Sequence, residues 1–279
     1  MIPLGKILIG VLVAGMPVVV QAQTPNADAA AFPLPDSGLY VTEVGLPFPS
    51  EHFAPQEYRQ YPQNWAVTQD GRGLIYVANN DGILEYDGAS WRLIPTVTNT
   101  FVRSLDTDEN GSVYAGTVGD FGYLKPDSTG LMRYVSLFDK VPDEHRSFKD
   151  VWGTHATPDG VYFQANDRLF RWNGANVDVW TSEEGFHTSF VVRDELYVRD
   201  FQRGLLKMAG DSLRRVPGGE RFAGMSVHMM VPFYDDQILI GTHKDGLFLY
   251  DGRSLTPFTT EAQPFLEEYG LYHGCLLPG

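Results

Sequence analysis

Cysteine is almost absent from this chain of 279 residues, and Cys275, standing alone, excludes an internal disulfide. An exported form would have to hold itself together by packing. Basic residues are scarce too, with 21 Lys and Arg against 35 Asp and Glu and a formal net charge of −14. Nucleic-acid phosphates require a basic footprint, and anionic membranes repel an acidic surface, so no nucleic acid is expected as a partner of this segment. Long amphipathic helical patterns are missing. So are the Gly-x-Ser-x-Gly elbow, the phosphate-binding glycine loop and the His-Glu-x-x-His motif. No catalytic residue, cofactor or resident metal is therefore assigned.

One long apolar run stands at the N-terminus. Lys6 supplies a small basic region, Ile7 to Val20 is apolar with a break at Pro17, and Val20-Gln21-Ala22 offers small residues for cleavage. Residues 1–22 read as a secretory signal cut after Ala22, because the run is shorter than the roughly 20 residues of a membrane-spanning helix. Loss of Lys6 would leave 20 Lys and Arg against the same 35 acids. Residues 23–60 read as a Pro- and Ala-rich leader, with Leu39–Val44 as a strand able to join a neighbouring blade. Cys275, in Gly274-Cys275-Leu276-Leu277, reads as a buried strand residue rather than a reactive thiol.

Turn formers and aromatics are abundant, with 29 Gly, 18 Pro and 13% Phe, Trp and Tyr. They are also periodic. Turn glycines Gly88, Gly130, Gly174, Gly210 and Gly252 follow one another at intervals of 42, 44, 36 and 42 residues, each after a strand-like run. A period near forty built from strands is the mark of β-propeller blades. Blade one runs from Trp65 to Ile94 in four strands, with joints at Asp70-Gly71, Asn80-Asp81-Gly82 and Asp87-Gly88 that supply the positive φ of tight hairpins. Four further blades follow on the same plan, placing Tyr76, Tyr114, Tyr162, Tyr197 and Leu239 at equivalent points of the second strands. Leu271 to Gly279 restarts the pattern, which predicts the first strand of a sixth blade. The expected fold is thus all-β, a propeller of four-stranded blades over residues 61–279, with five blades and the start of a sixth and incomplete at its C-terminus.

With the blades aligned, Leu105-Asp-Thr-Asp-Glu-Asn-Gly-Ser-Val-Tyr-Ala-Gly-Thr117 and Ile238-Leu-Ile-Gly-Thr-His-Lys-Asp-Gly-Leu-Phe-Leu-Tyr-Asp251 resemble the repeat of two-component regulator propellers. The resemblance covers roughly residues 60–279. The family's usual second-strand Trp is Tyr76 or Tyr114 here, and blade four lacks the Gly-Thr pair. The resemblance implies that the chain is a fragment of a seven-bladed propeller, an exported, periplasmic or extracellular, sensor on a bacterial membrane, followed by a membrane helix and a dimeric output module such as a histidine kinase. None of those output motifs occurs in these residues.

Propeller ligands usually sit where the innermost strands begin. Trp65, Arg103, Trp152, His187, His228 and His273 stand at or near those starts and are the ligand-binding candidates. Trp and His suit stacking on a sugar or another ring, and Arg suits a carboxylate. The partner expected is a small molecule or a glycan. Two other readings remain open. A secreted polysaccharide-processing enzyme would show clustered carboxylates, or a His and Tyr pair, at one channel mouth. A protein-interaction scaffold would show an apolar patch on one face.

Overall fold

The computed structural model describes residues 53–97 and 99–276 in full, and residues 7–13 and 16–21 as backbone. Strands β1 (Ile7–Val13) and β2 (Met16–Gln21) come first, followed by a helical turn, α1 (Pro55–Tyr58). Blade one comprises β3 (Asn64–Gln69), β4 (Ile75–Asn79), β5 (Gly82–Tyr86) and β6 (Trp91–Ile94). Blade two is β7 (Val102–Thr107), β8 (Val113–Thr117), β9 (Phe121–Pro126) and β10 (Met132–Ser136), and blade three is β11 (Val151–Thr157), β12 (Gly160–Ala165), β13 (Arg168–Trp172) and β14 (Val177–Thr181). Blade four is β15 (Phe186–Val192), β16 (Glu195–Asp200), β17 (Gly204–Ala209) and β18 (Ser212–Arg215). Blade five is β19 (Val227–Pro232), β20 (Ile238–Thr242), β21 (Leu247–Tyr250) and β22 (Leu255–Phe258), after which come α2 (Gln263–Tyr269) and β23 (His273–Leu276). Every blade is an antiparallel meander with its strands in chain order, so the five blades of a β-propeller are present as the glycine spacing predicts.

Turn chemistry explains the meanders. At the outer hairpin of blade one, Gly88 takes φ +91° while Asp87 Oδ1 accepts the amides of Ala89 and Ser90 at 2.9 and 2.7 Å. Blade five repeats this with Asp251, Arg253 and Ser254 at 2.8 and 2.7 Å. A short carboxylate that caps its own turn is what keeps such tight hairpins folded. In the second strands of blades two and five, the Gly-Thr pair has a parallel job: Thr117 Oγ1 donates to Asp120 O and Thr242 Oγ1 to Gly246 O, at 2.9 and 2.7 Å.

The described residues divide into two compact units, one within 52–215 and the other within 1–51 and 216–279. In the first unit the cores lie between blades. Tyr76, Ile83 and Ile94 of blade one pack with Val102, Leu105 and Val113 of blade two. Phe121 of blade two stacks on Phe163 of blade three at 4.4 Å, in a cluster with Val151 and Phe170. Tyr162 and Leu169 of blade three meet Phe186, Leu196 and Val198 of blade four. A single blade has no partner for its two faces, and stacking supplies one; each fully buried aromatic contributes about 1.5–3 kcal/mol. Polar links follow the same seams: Thr68 and Thr107 hydroxyls lie 2.8 Å apart, Ser104 and Thr154 2.7 Å, and His155 Nε2 and Ser189 Oγ 2.8 Å. In the second unit, Met229, Val231, Leu239 and Leu247 of blade five close against Leu266 of α2 and Leu271.

Two sequence expectations meet a more specific outcome, and a third is corrected. Residues 53–60 hold a structured turn, in which Tyr58 is buried and Phe53 and Tyr58 lean on Trp91 at 5.2 and 5.8 Å. The residues expected as a sixth-blade strand form β23, which pairs antiparallel with β1, itself paired with β2. Cys275 is exposed, contrary to the core reading. The reason is alternation along β23: a Cβ on Gly274 would fall 2.1 Å from Met229 Sδ, so position 274 faces the core and position 275 faces away. The strand expected at Leu39–Val44, the cleavage point after Ala22, and the rest of residues 22–52 lie outside the described residues.

Candidate functional site

The inner strands of all five blades share one irregularity. Register slips by one residue between Asn64 and Ala66, Val102 and Ser104, Val151 and Gly153, Phe186 and Thr188, and Val227 and Met229. The extra residues are Trp65, Arg103, Trp152, His187 and His228. A bulge leaves its residue outside the ladder and re-aims its side chain, and such bulges concentrate beside functional sites. Five of the six candidates thus occupy one structural position, repeated blade by blade.

In the four-blade unit three of them meet. The Arg103 guanidinium carbon lies 4.2 Å from the centre of the Trp65 ring, 4.9 Å from Trp152 and 5.1 Å from Phe101. The two indoles touch edge to face at 5.7 Å. Arg103 Nε donates to Asp150 Oδ1 at 2.7 Å, and its terminal nitrogens make no hydrogen bond among the described residues. Trp65 and Trp152 remain 41% and 42% exposed, Phe101 45%, whereas the Arg103 side chain is 12% exposed. The rings are the open part of the cluster, and the cation is the covered part.

Each bulged aromatic is also held by the turn after the second strand of its own blade. Trp65 Nε1 donates to Asn80 Oδ1 at 2.8 Å and Trp152 Nε1 to Asn166 Oδ1 at 2.9 Å. His187 meets the Phe201 ring at 5.6 Å, and Phe201 in turn covers the buried Arg199 guanidinium at 4.3 Å. Burial lowers the Arg199 pKa. In the second unit, His228 lies 5.5 Å from His243 and stacks on Tyr272 at 5.6 Å. Burial chiefly, then the charges of His243 and His273, lower the His228 pKa, which favours a neutral ring. His243 Nδ1 donates to Leu271 O at 3.2 Å. His273 is exposed at the start of β23.

Asn80, Asn166, Phe201 and His243 are not among the site candidates the sequence offered. Each follows its bulged partner by 14 or 15 residues, one hairpin further on, and that spacing was the signal available. Phe101 and Asp150 carried none, since one lies in an inter-blade loop and the other abuts the next blade's first strand. Among the described residues, no group of three or more His, Cys, Asp or Glu is arranged to hold a metal ion. A cleft of about 300 Å³ lies between blades three and four at the hairpin ends remote from the bulges, lined among others by Asp159, Tyr162, Asp194 and Lys207. Lys207 Nζ there is engaged by Glu195 at 2.5 Å.

No family model matches the chain, and no curated protein matches it. Solved structures do. It superposes on virginiamycin B lyase from Staphylococcus aureus with a TM-score of 0.52 at 12% identity, covering 71% of this chain and 70% of that one. The extracellular domain of BT3049, assigned to a hybrid two-component system of B. thetaiotaomicron, gives a TM-score of 0.53 at 11% identity, covering 87% of this chain and 31% of that one. PorZ, a surface component of the type-IX secretion system of Porphyromonas gingivalis, gives 0.53 at 12% identity, with 75% and 35% covered. The chain spans about a third of the length of the latter two. At such identities the likeness shows the β-propeller fold, which lyases, sensor domains and secretion components share.

Proposed function

We propose that this chain is the extracytoplasmic, ligand-sensing propeller of a membrane-bound signalling protein of the two-component type. Its ligand site is the set of bulged positions in the four-blade unit, Trp65, Arg103, Trp152 and His187. The single observation that carries the reading is the recurrence of the bulge: four times in the four-blade unit the sheet gives up a ladder position to present a large aromatic or cationic side chain. A bulge raises the twist of its strand, and it also turns its side chain out of the ladder, so the repetition presents one large side chain per blade as a binding face would. Exposed indole rings suit stacking on a ring-shaped ligand. Ligand occupancy would be passed to an output module elsewhere in the protein.

The test is titration of the exported chain with a panel of neutral and acidic oligosaccharides and aromatic ring compounds, followed by tryptophan emission. A ligand that binds should lose at least tenfold in affinity with Trp65→Ala and with Trp152→Ala, each shown by circular dichroism to remain folded at the temperature of the titration. A ligand whose binding neither substitution weakens would move the site away from these positions.

One observation favours an enzyme instead. The His228–Tyr272 stack brings together a His and a Tyr, the pair expected at the mouth of a polysaccharide-processing enzyme, and both side chains are of types that act as general acids or bases. Chain-length analysis of a polysaccharide panel after incubation with wild type and with Tyr272→Phe separates the two: Tyr272-dependent cleavage would displace the sensor reading.

A further inference from the structure

We propose that Trp65, Phe101 and Trp152, closed by Asp150, form a site for a compact organic cation, a guanidinium or alkylammonium group, and that Arg103 is its resident occupant. The inference rests on the reading of the bulged positions as a ligand site and names the chemistry that site accepts.

Three aromatic rings stand 4.2, 4.9 and 5.1 Å from one guanidinium carbon, each within the roughly 6 Å at which a ring's quadrupole attracts a cation. A carboxylate completes the enclosure at 2.7 Å. Aromatic walls with one acid are the arrangement by which proteins take ammonium and guanidinium ligands. The exposure runs the same way, since the walls are open to solvent while the cation inside is covered. An anion has less to gain here: Asp150 already balances the charge of Arg103, and the chain's net charge of −14 draws cations and repels anions.

Resident and ligand would therefore compete. A ligand cation binds only the fraction of molecules in which Arg103 has swung out, so its apparent affinity falls by that fraction. Displacement also breaks the Arg103–Asp150 pair, which joins the inner strand of blade two to the residue preceding that of blade three. Occupancy at the rim is thus converted into a loosened seam between two blades, which is a signal of the kind a sensor needs.

The experiment titrates argininamide, with citrullinamide as its neutral counterpart, into wild type, Arg103→Ala and the double variants Arg103→Ala/Trp152→Ala and Arg103→Ala/Asp150→Asn. Folding is checked by melting temperature. Arg103→Ala should bind argininamide at least tenfold more tightly than wild type, each double variant should lose at least tenfold of that gain, and citrullinamide should bind none of them. A folded Arg103→Ala that binds argininamide no better than wild type, or takes citrullinamide equally, overturns the proposal. Should Arg103→Ala fail to fold, Arg103→Gln takes its place, titrated by calorimetry: it must bind argininamide more tightly than wild type and lose that gain with Trp152→Ala, and affinity equal to wild type is fatal to the idea. Failure here combined with Trp65- and Trp152-dependent binding of neutral oligosaccharides would leave the sensor reading standing and remove only the cation.

Discussion

Arg103 and Asp150 form a hydrogen-bonded ion pair at 2.7 Å across 47 residues of sequence, with 12% and 22% of their side chains exposed. The bond belongs to a seam. Next to it, Ser104 Oγ donates to Val151 O at 2.8 Å, and Ala156 N donates to Asp106 Oδ2 at 2.8 Å. Blades two and three are thus laced along their inner strands by side chains reaching across.

Breaking that lacing at one partner leaves the other largely buried. Asp150→Asn is expected to destabilise the fold by about 1–2 kcal/mol, the lower part of the range for truncating a buried charged hydrogen bond, because both groups keep some contact with water. Arg103→Lys should cost a similar amount, since an ammonium neither spans the two indoles nor reproduces the Nε geometry. Urea unfolding monitored by circular dichroism checks both; midpoints equal to wild type would show the pair to be ornamental for stability.

Stability should fall as the medium turns acidic, and His155 supplies part of the reason. Its Nε2 lies 2.8 Å from Ser189 Oγ, and burial pushes its pKa down to about 4. The unfolded chain, with an ordinary imidazole near 6.5, therefore binds more protons than the folded one between about pH 6.5 and 4, and stability rises with pH across that window. The contribution is complete above 6.5 and lost as pH falls toward 4. Asp106 works in the opposite sense. Burial raises its pKa against the lowering effect of the Ala156 and Thr107 amides, so its contribution weakens as pH rises through the raised value. His155→Gln, which keeps a hydrogen-bonding tip, is expected to flatten the melting-temperature profile between pH 4 and 6.5 relative to wild type. A profile parallel to wild type would show that His155 is already charged in the fold.

Gly116 permits the close approach of blades two and three. A Cβ there would lie 2.4 Å from Ser104 Oγ and 2.5 Å from Val151 Cγ1, and Ser104 is pinned by bonds to Val151 O and Thr154. Gly116→Ala should destabilise by about 1–3 kcal/mol, the usual cost of overpacking a fixed core. At the Asp70-Gly71 joint the positive φ expected from the sequence falls on Gly73, at +87°, and not on Gly71, so Gly71→Ala, with no atom within 4 Å of the added methyl, should stay within about 0.5 kcal/mol of wild type. Equal midpoints for the two variants would refute the packing account.

The blades were legible in the sequence because their signals are local. Asp-Gly turns, two-residue alternation and the tyrosines of the second strands each act within one hairpin, and the repetition reinforces them. The bulged residues were legible for the same reason: Trp65, Arg103, Trp152, His187 and His228 all stand where an apolar inner strand begins. What joins them was not. Phe101 and Asp150 reach Arg103 across the boundary between blades, and no periodicity within one blade registers a neighbour's loop. Cys275 was misread because its surroundings suggest a core strand, while the face it occupies depends on where Met229 sits. α2 escaped notice as well, being one short helix with Pro264 in its first turn and Gly270 at its end, φ +79°.

The N-terminal segment offers a prediction in which sequence and structure bear on each other. The apolar run ending at Ala22 is expected to be removed on export, giving a mature chain that begins at Gln23. In the unprocessed chain β1 pairs with β23 from Ile7↔Leu276 to Gly10↔His273. Cleavage takes that partner away, and an edge with unpaired amides must either exchange with water or recruit another strand. Hydrogen exchange on both forms distinguishes these outcomes. Fast exchange at residues 273–276 in the processed chain alone means the pairing with β1 belongs to the precursor, whereas equal protection in both forms means another strand covers β23 after processing. N-terminal sequencing of the exported protein decides the prior question, since a chain recovered with Met1 intact would end the case for a cleaved signal and weaken the extracytoplasmic reading built on it.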